Sequence, residues 1–127
     1  MAEINEIYKC SVCGNVVEVT FGSAGQLVCC GKPMELMAEK TQDEGNEKHV
    51  PVAENVEGNQ FRIKVGAEPH PMEEAHYIQW IEVLKDDGLI RKHLKPGDAP
   101  EKEFAIQRSP VKLRCFCNIH GLWAAEK

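Results

Sequence analysis

The sequence predicts a mostly β protein in two units, a small cysteine-rich one followed by an antiparallel sandwich or barrel. Three observations carry that reading. Four of the six cysteines fall in the first 30 residues, as Cys10-x2-Cys13 and the adjacent pair Cys29-Cys30. From Val50 onward, short alternating or β-branched apolar runs recur between turn-forming segments, the pattern of an all-β domain. No segment carries a long helical period. The units are expected to span residues 1–37 and 38–127.

In the first unit, Ile7-Tyr8-Lys9 leads into Cys10-Ser11-Val12-Cys13-Gly14, a metal knuckle in which Gly14 lets the backbone turn under the sulfurs. Val16 to Phe21 reads as a strand, Gly22-Ser23-Ala24-Gly25 as a turn, and Leu27-Val28 as a returning strand into Cys29-Cys30-Gly31. So few apolar residues do not hold a domain together, whereas a four-thiolate metal does. Two disulfides are the alternative. By count, four thiolates suit zinc and iron equally. The adjacent pair departs from the common zinc ribbon, because neighbouring ligands share one peptide link and splay the angle at the metal.

Glu39 to Glu47 is polar and aperiodic and reads as linker and loop. Pro51 then pushes Val50 into an extended conformation. Phe61, Ile63 and Val65 alternate with Arg62 and Lys64 after the turn Glu57-Gly58-Asn59. Tyr77 to Leu84 is a strand whose apolar phase shifts at Trp80-Ile81, marking a bulge or burial on both faces. Asp86-Asp87-Gly88 turns the chain into Leu89–Leu94, and Lys95 to Pro100 is a loop. Phe104-Ala105-Ile106 follows, then a strand in which Val111, Leu113, Cys115 and Cys117 share the packed side.

Composition bounds the function. The chain has 127 residues, 43% of them hydrophobic, which excludes wholesale disorder. A net charge of -5 with no basic block argues against nucleic acid as a partner. No apolar run approaches the roughly 20 residues that span a bilayer, and the start Met1 to Glu6 lacks the features of a signal peptide. A cytoplasmic protein without membrane attachment is expected, where clustered cysteines bind metal more often than they pair.

The chemistry converges on Cys117-Asn118-Ile119-His120, where a thiol and an imidazole three positions apart reach one metal from a single turn. His49, His70 and His76 lie in Pro-marked or loop-like sequence. His70 and His76 diverge by about 120° on a helix and stand about 20 Å apart on a strand. Only a curved loop, with room for one helical turn, brings both to one ion. Spacing alone leaves open whether these five residues bind a metal or are separate core and surface residues. His93 reads as structural or surface, and Cys115 as a small core residue.

Tyr8 to Met37, with its C-x2-C and C-C ligands, resembles desulforedoxin, the small rubredoxin-like iron module. Glu47-Lys48-His49-Val50-Pro51-Val52, His70-Pro71-Met72-Glu73-Glu74 with His76 to Glu82, Leu94 to Gly97 and Cys117 to Trp123 together resemble the catalytic domain of superoxide reductase. End to end, the chain is similar to the two-iron desulfoferrodoxins.

That resemblance implies an immunoglobulin-like sandwich and two irons per chain, one on Cys10, Cys13, Cys29 and Cys30. The other has His49, His70, His76 and His120 as equatorial ligands, Cys117 as axial ligand, and one open position opposite the sulfur. The implied activity is one-electron reduction of superoxide to hydrogen peroxide, a detoxification. Lys48 is implied to attract superoxide and order a protonating water, and Glu47 to bind the sixth position of the oxidised iron. The residues give independent support for Lys48, since a chain at -5 repels an anion. Rubredoxin as electron donor and a homodimer are also implied. Backbone N–H groups at Asn118, Ile119 or nearby are expected to bond the Cys117 sulfur. The competing readings are a non-enzymatic electron carrier and a zinc-stabilised binding module.

Overall fold

The computed structural model describes residues 2–43, 48–56, 58–105 and 110–127; among them the elements are twelve strands and no helix. No helix of the structure is long and apolar enough to cross a membrane. The chain divides into two compact units, Met1–Ala38 and Glu39–Lys127.

In the first unit, β1 (Ile7–Lys9) lies between β2 (Val16–Glu18) and β5 (Glu35–Leu36). Strand β2 stops earlier than the run to Phe21 predicts, because its partner ends at Ile7 and Asn5 turns the chain at φ 71°. The returning strand is β3 (Val28–Cys29), and it pairs forward with β4 (Lys32–Pro33). Cys30 (φ 53°) and Gly31 (φ 75°) form the two-residue loop, and positive φ at both central positions is the signature of a type I′ hairpin. Ile7 and Cys10 are buried, while Val12, Phe21, Val28 and Leu36 are exposed.

The second unit is a sandwich of two antiparallel sheets. One has the order β10-β7-β6, from β6 (Pro51–Asn55), β7 (Gln60–Val65) and β10 (Glu101–Ala105). The other has the order β12-β11-β8-β9, from β8 (Ile78–Lys85), β9 (Gly88–His93), β11 (Lys112–Cys117) and β12 (Gly121–Glu126). Seven strands in two sheets match the immunoglobulin-like plan. The predicted Phe104–Ile106 strand starts at Glu101, and Ile106 lies outside the described residues.

Alternation along β7 buries Phe61, Ile63 and Val65 against Ile81, Val83, Leu113 and Cys115 of the facing sheet. Truncating one such Phe costs about 3–5 kcal/mol. On the other side, Arg62 bridges the carboxylates of Glu54, Glu101 and Glu103, each at 3.1 Å.

The phase shift in β8 has both of its possible causes. Phe116 pairs with Trp80 and Cys117 with Ile78, so Gln79 is the extra residue of a bulge. Trp80 to Val83 are then buried on both faces. The second face holds a charge network that sequence reading leaves unremarked. Glu82, 0% exposed, accepts from Arg91 at 2.7 Å and from Arg114 at 2.8 Å, and Arg114 also reaches Glu39 at 3.2 Å.

Candidate metal centres

Three segments of the sandwich bring five donors together. His49 lies just ahead of β6, His70 and His76 in the β7–β8 connection, and Cys117 and His120 around the β11–β12 turn. Their donor atoms all lie within 4.8 Å of one another. Donors on opposite sides of a first-row metal stand about 4–4.6 Å apart, twice the usual bond lengths, so one ion fits this cluster.

The imidazoles form a closed ring. Centroid separations run His49–His70 4.6 Å, His70–His76 4.8 Å, His76–His120 5.1 Å and His120–His49 4.8 Å. The Cys117 sulfur lies 3.8 Å from His120 Nδ1. Cys117, His49 and His70 are buried, whereas His76 and His120 are partly exposed.

Local structure explains how each donor is aimed. The bulge at Gln79 sits opposite Cys117, and bulges commonly re-aim side chains beside sites. The loop from His70 to His76 contains no helical turn. Instead Glu73 and His76 exchange backbone hydrogen bonds of 2.9 and 3.0 Å around Glu74-Ala75, and this tight reversal supplies the curvature. Asn118 staples that loop to the Cys117 turn: its Oδ1 accepts from Tyr77 N–H at 2.9 Å and its Nδ2 donates to Ala75 O at 3.1 Å. His70 Nδ1 meets the Pro71 carbonyl at 2.7 Å, an arrangement that directs Nε2 to the cluster.

His49 is held through its backbone and its ring. The Asp43 carboxylate accepts from His49 N–H at 2.5 Å and from Val50 N–H at 3.0 Å. The Cys115 thiol donates to His49 O at 3.2 Å. Burial, then the nearby Cys117, holds the Cys115 thiol well above its ordinary range, so it stays protonated as a donor. The indole of Trp123 stacks on the His49 ring at 4.5 Å and 11°. The sulfur of Cys117 accepts from the N–H of His120 at 3.4 Å, while the N–H of Asn118 donates to Tyr77 O at 3.3 Å.

In the first unit, Cys10, Cys13, Cys29 and Cys30 form the second cluster, again with all donors within 4.8 Å. The type I′ turn swings Cys30 round beside Cys29, which solves the adjacency problem. N–H groups of Cys13 and Val12, each 3.4 Å from Cys10 Sγ, draw that thiol down to about 6. Hydrogen bonding to Cys13, then to Cys29 and Cys10, pushes the Cys30 thiol up to about 12. Four thiolates this close repel one another, and a bound cation relieves that repulsion.

The sequence profile of the family described as desulfoferrodoxin matches residues 41–126, and that of the desulfoferrodoxin N-terminal domain matches residues 2–37. The chain belongs to the desulfoferrodoxin family. It is 59% identical over 123 residues to a desulfoferrodoxin homolog of Archaeoglobus fulgidus, covering 97% of this chain and 98% of that one. A desulfoferrodoxin of Desulfarculus baarsii is 56% identical over 126 residues, covering 99% of each. Among solved structures, the superoxide reductase from Treponema pallidum superposes with a TM-score of 0.76 at 29% identity, over 94% of this chain and 96% of that one.

The two clusters match the two iron sites of a desulfoferrodoxin, one of four imidazoles and a thiolate, the other of four thiolates. The donor chemistry fits, since imidazole with thiolate suits ferrous iron and tetrahedral thiolates suit ferric and ferrous iron alike. Of the flanking pair, Glu47 lies outside the described residues. Lys48 is part-buried beside Gly66, whose φ of +82° and hydrogen bond to Val50 O (3.1 Å) fix the chain there. A Cβ on Gly66 would strike the Lys48 carbonyl and sit 2.7 Å from Lys48 Cβ. His93 is exposed at the end of β9, as its sequence context predicts. Asp43, the Asn118 side chain and the Trp123 indole have site roles that the sequence does not announce.

Proposed function

We infer that the chain is a superoxide reductase, reducing superoxide with one electron and two protons to hydrogen peroxide. The ring of four imidazoles closed around one thiolate carries this reading, supported by the likeness to the Treponema pallidum superoxide reductase. Bound among these donors, a ferrous iron would supply the electron, and the anionic thiolate would make it electron-rich.

The protein's own residues do the rest. His49, His70, His76, His120 and Cys117 would hold that iron through four imidazoles and one thiolate. The His120 N–H on the Cys117 sulfur tempers the thiolate's charge. Lys48 offsets the repulsion that a chain at -5 exerts on an anion, and positions a water that delivers protons. Glu47, by family resemblance, would offer its carboxylate to the oxidised iron. The four-cysteine iron would serve electron transfer, and the family resemblance implies rubredoxin as the protein's electron donor. Exposed Phe21 and Val28 in the first unit support a homodimer, and the cysteine usage supports a cytoplasmic setting.

The test is stoichiometric. Ascorbate-reduced protein supplied with superoxide is expected to release one hydrogen peroxide per superoxide consumed, without evolving oxygen. Oxygen evolution would mean dismutation, and no consumption would leave an electron carrier.

A further inference from the structure

Lys40 falls in a stretch whose sequence marks it only as polar linker, yet its backbone and side chain are both fixed beside the five-donor cluster. Its N–H donates to Leu122 O at 3.0 Å and its carbonyl accepts from Ala124 N–H at 2.9 Å, which bridges it to Trp123 in parallel. The ammonium donates to the backbone carbonyl of His120 at 2.9 Å and stands 5.1 Å from the centre of the Trp123 ring. That ring stacks on His49. One cation therefore touches the backbone of one ligand and the aromatic group that backs another. The neighbouring carboxylate, Glu39, is engaged by Lys112 at 2.8 Å and Arg114 at 3.2 Å.

We propose that Lys40 is a positioning residue that tunes this iron, its charge favouring the reduced state and its hydrogen bond fixing the His120 turn. Oxidising ferrous iron adds positive charge to the cluster, and a nearby cation opposes that step. The iron is then kept reduced by milder donors. This inference rests on the five donors holding a redox iron, as in the function proposed above. It does not depend on superoxide being the substrate.

The experiment is a spectroelectrochemical titration of the full chain carrying both irons, comparing wild type with Lys40→Met and Lys40→Arg. Methionine keeps an unbranched stem over Trp123 and removes the charge; arginine keeps the charge. At the wild-type midpoint, Lys40→Met is expected to lower the reduced-to-oxidised ratio at the five-donor site by roughly threefold or more. Lys40→Arg should restore most of it, and the effect should shrink as salt rises, because the ammonium is exposed. The four-cysteine iron in the same sample should titrate unchanged. A wild-type curve from Lys40→Met would overturn the proposal, as would an arginine variant shifted as far as the methionine one. Wild type that titrates as expected but ignores superoxide would overturn the enzymatic reading alone.

Discussion

The two metal clusters of this chain are built in opposite ways. The four-cysteine cluster draws all its ligands from Cys10 to Cys30, through a knuckle and a type I′ hairpin, in a unit with few buried apolar residues. Two of its cysteines, Cys13 and Cys30, are exposed. The five-donor cluster draws on three distant segments, from His49 to His120, laid against a continuous core that runs through both sheets. In the first unit the metal makes the fold, and in the second the fold makes the site.

The largest test of that contrast is metal removal. Stripping both irons with acid and chelator should unfold the first unit, since a structural metal of this type contributes on the order of 10 kcal/mol. The sandwich should keep its dispersed amide spectrum. Collapse of both units would erase the distinction. Next comes Glu82→Ala, which removes the buried carboxylate shared by Arg91 and Arg114 and should cost the sandwich about 3–5 kcal/mol in a denaturant titration. The four-cysteine absorption should survive unchanged under native conditions.

Gly66→Ala sharpens the comparison at the site itself. A Cβ there meets Lys48 at a positive φ, a strain of about 1–3 kcal/mol. Reaction with superoxide should slow through the displaced Lys48, without loss of iron. Asn118→Ala removes both staples between the two ligand loops. It should weaken iron retention by about tenfold, measured by the rate of iron loss to a chelator, with no effect on the first unit.

Much of this architecture is legible in the sequence where the signal is local. Alternation marks β7, Asp86-Asp87 marks the β8–β9 hairpin, and the C-x2-C knuckle marks the first cluster. Strand β12 leaves no such mark, because Leu122, Trp123 and Ala124 are buried in succession and erase the alternation. The hairpin at Cys30-Gly31 depends on a left-handed cysteine, which no propensity announces. Glu82 and Arg114 look solvent-facing until their strands are paired side by side. Asp43, Lys40 and Asn118 act through contacts between segments far apart in the chain, so their roles exist only in the folded state. The five metal donors are legible as candidates, but their spacing alone leaves the shared ion open.

The most direct measurement is anaerobic pulse radiolysis of the fully reduced protein, following the absorption of each iron site separately. The account predicts that a burst of superoxide oxidises the five-donor site near the diffusional limit, about 10⁸–10⁹ M⁻¹s⁻¹. His49→Ala should abolish that phase, and Lys48→Ala should only slow it. The four-cysteine site should remain reduced on that timescale. Primary oxidation of the four-cysteine iron, or a five-donor site that ignores superoxide while cycling with a chemical donor, would contradict it.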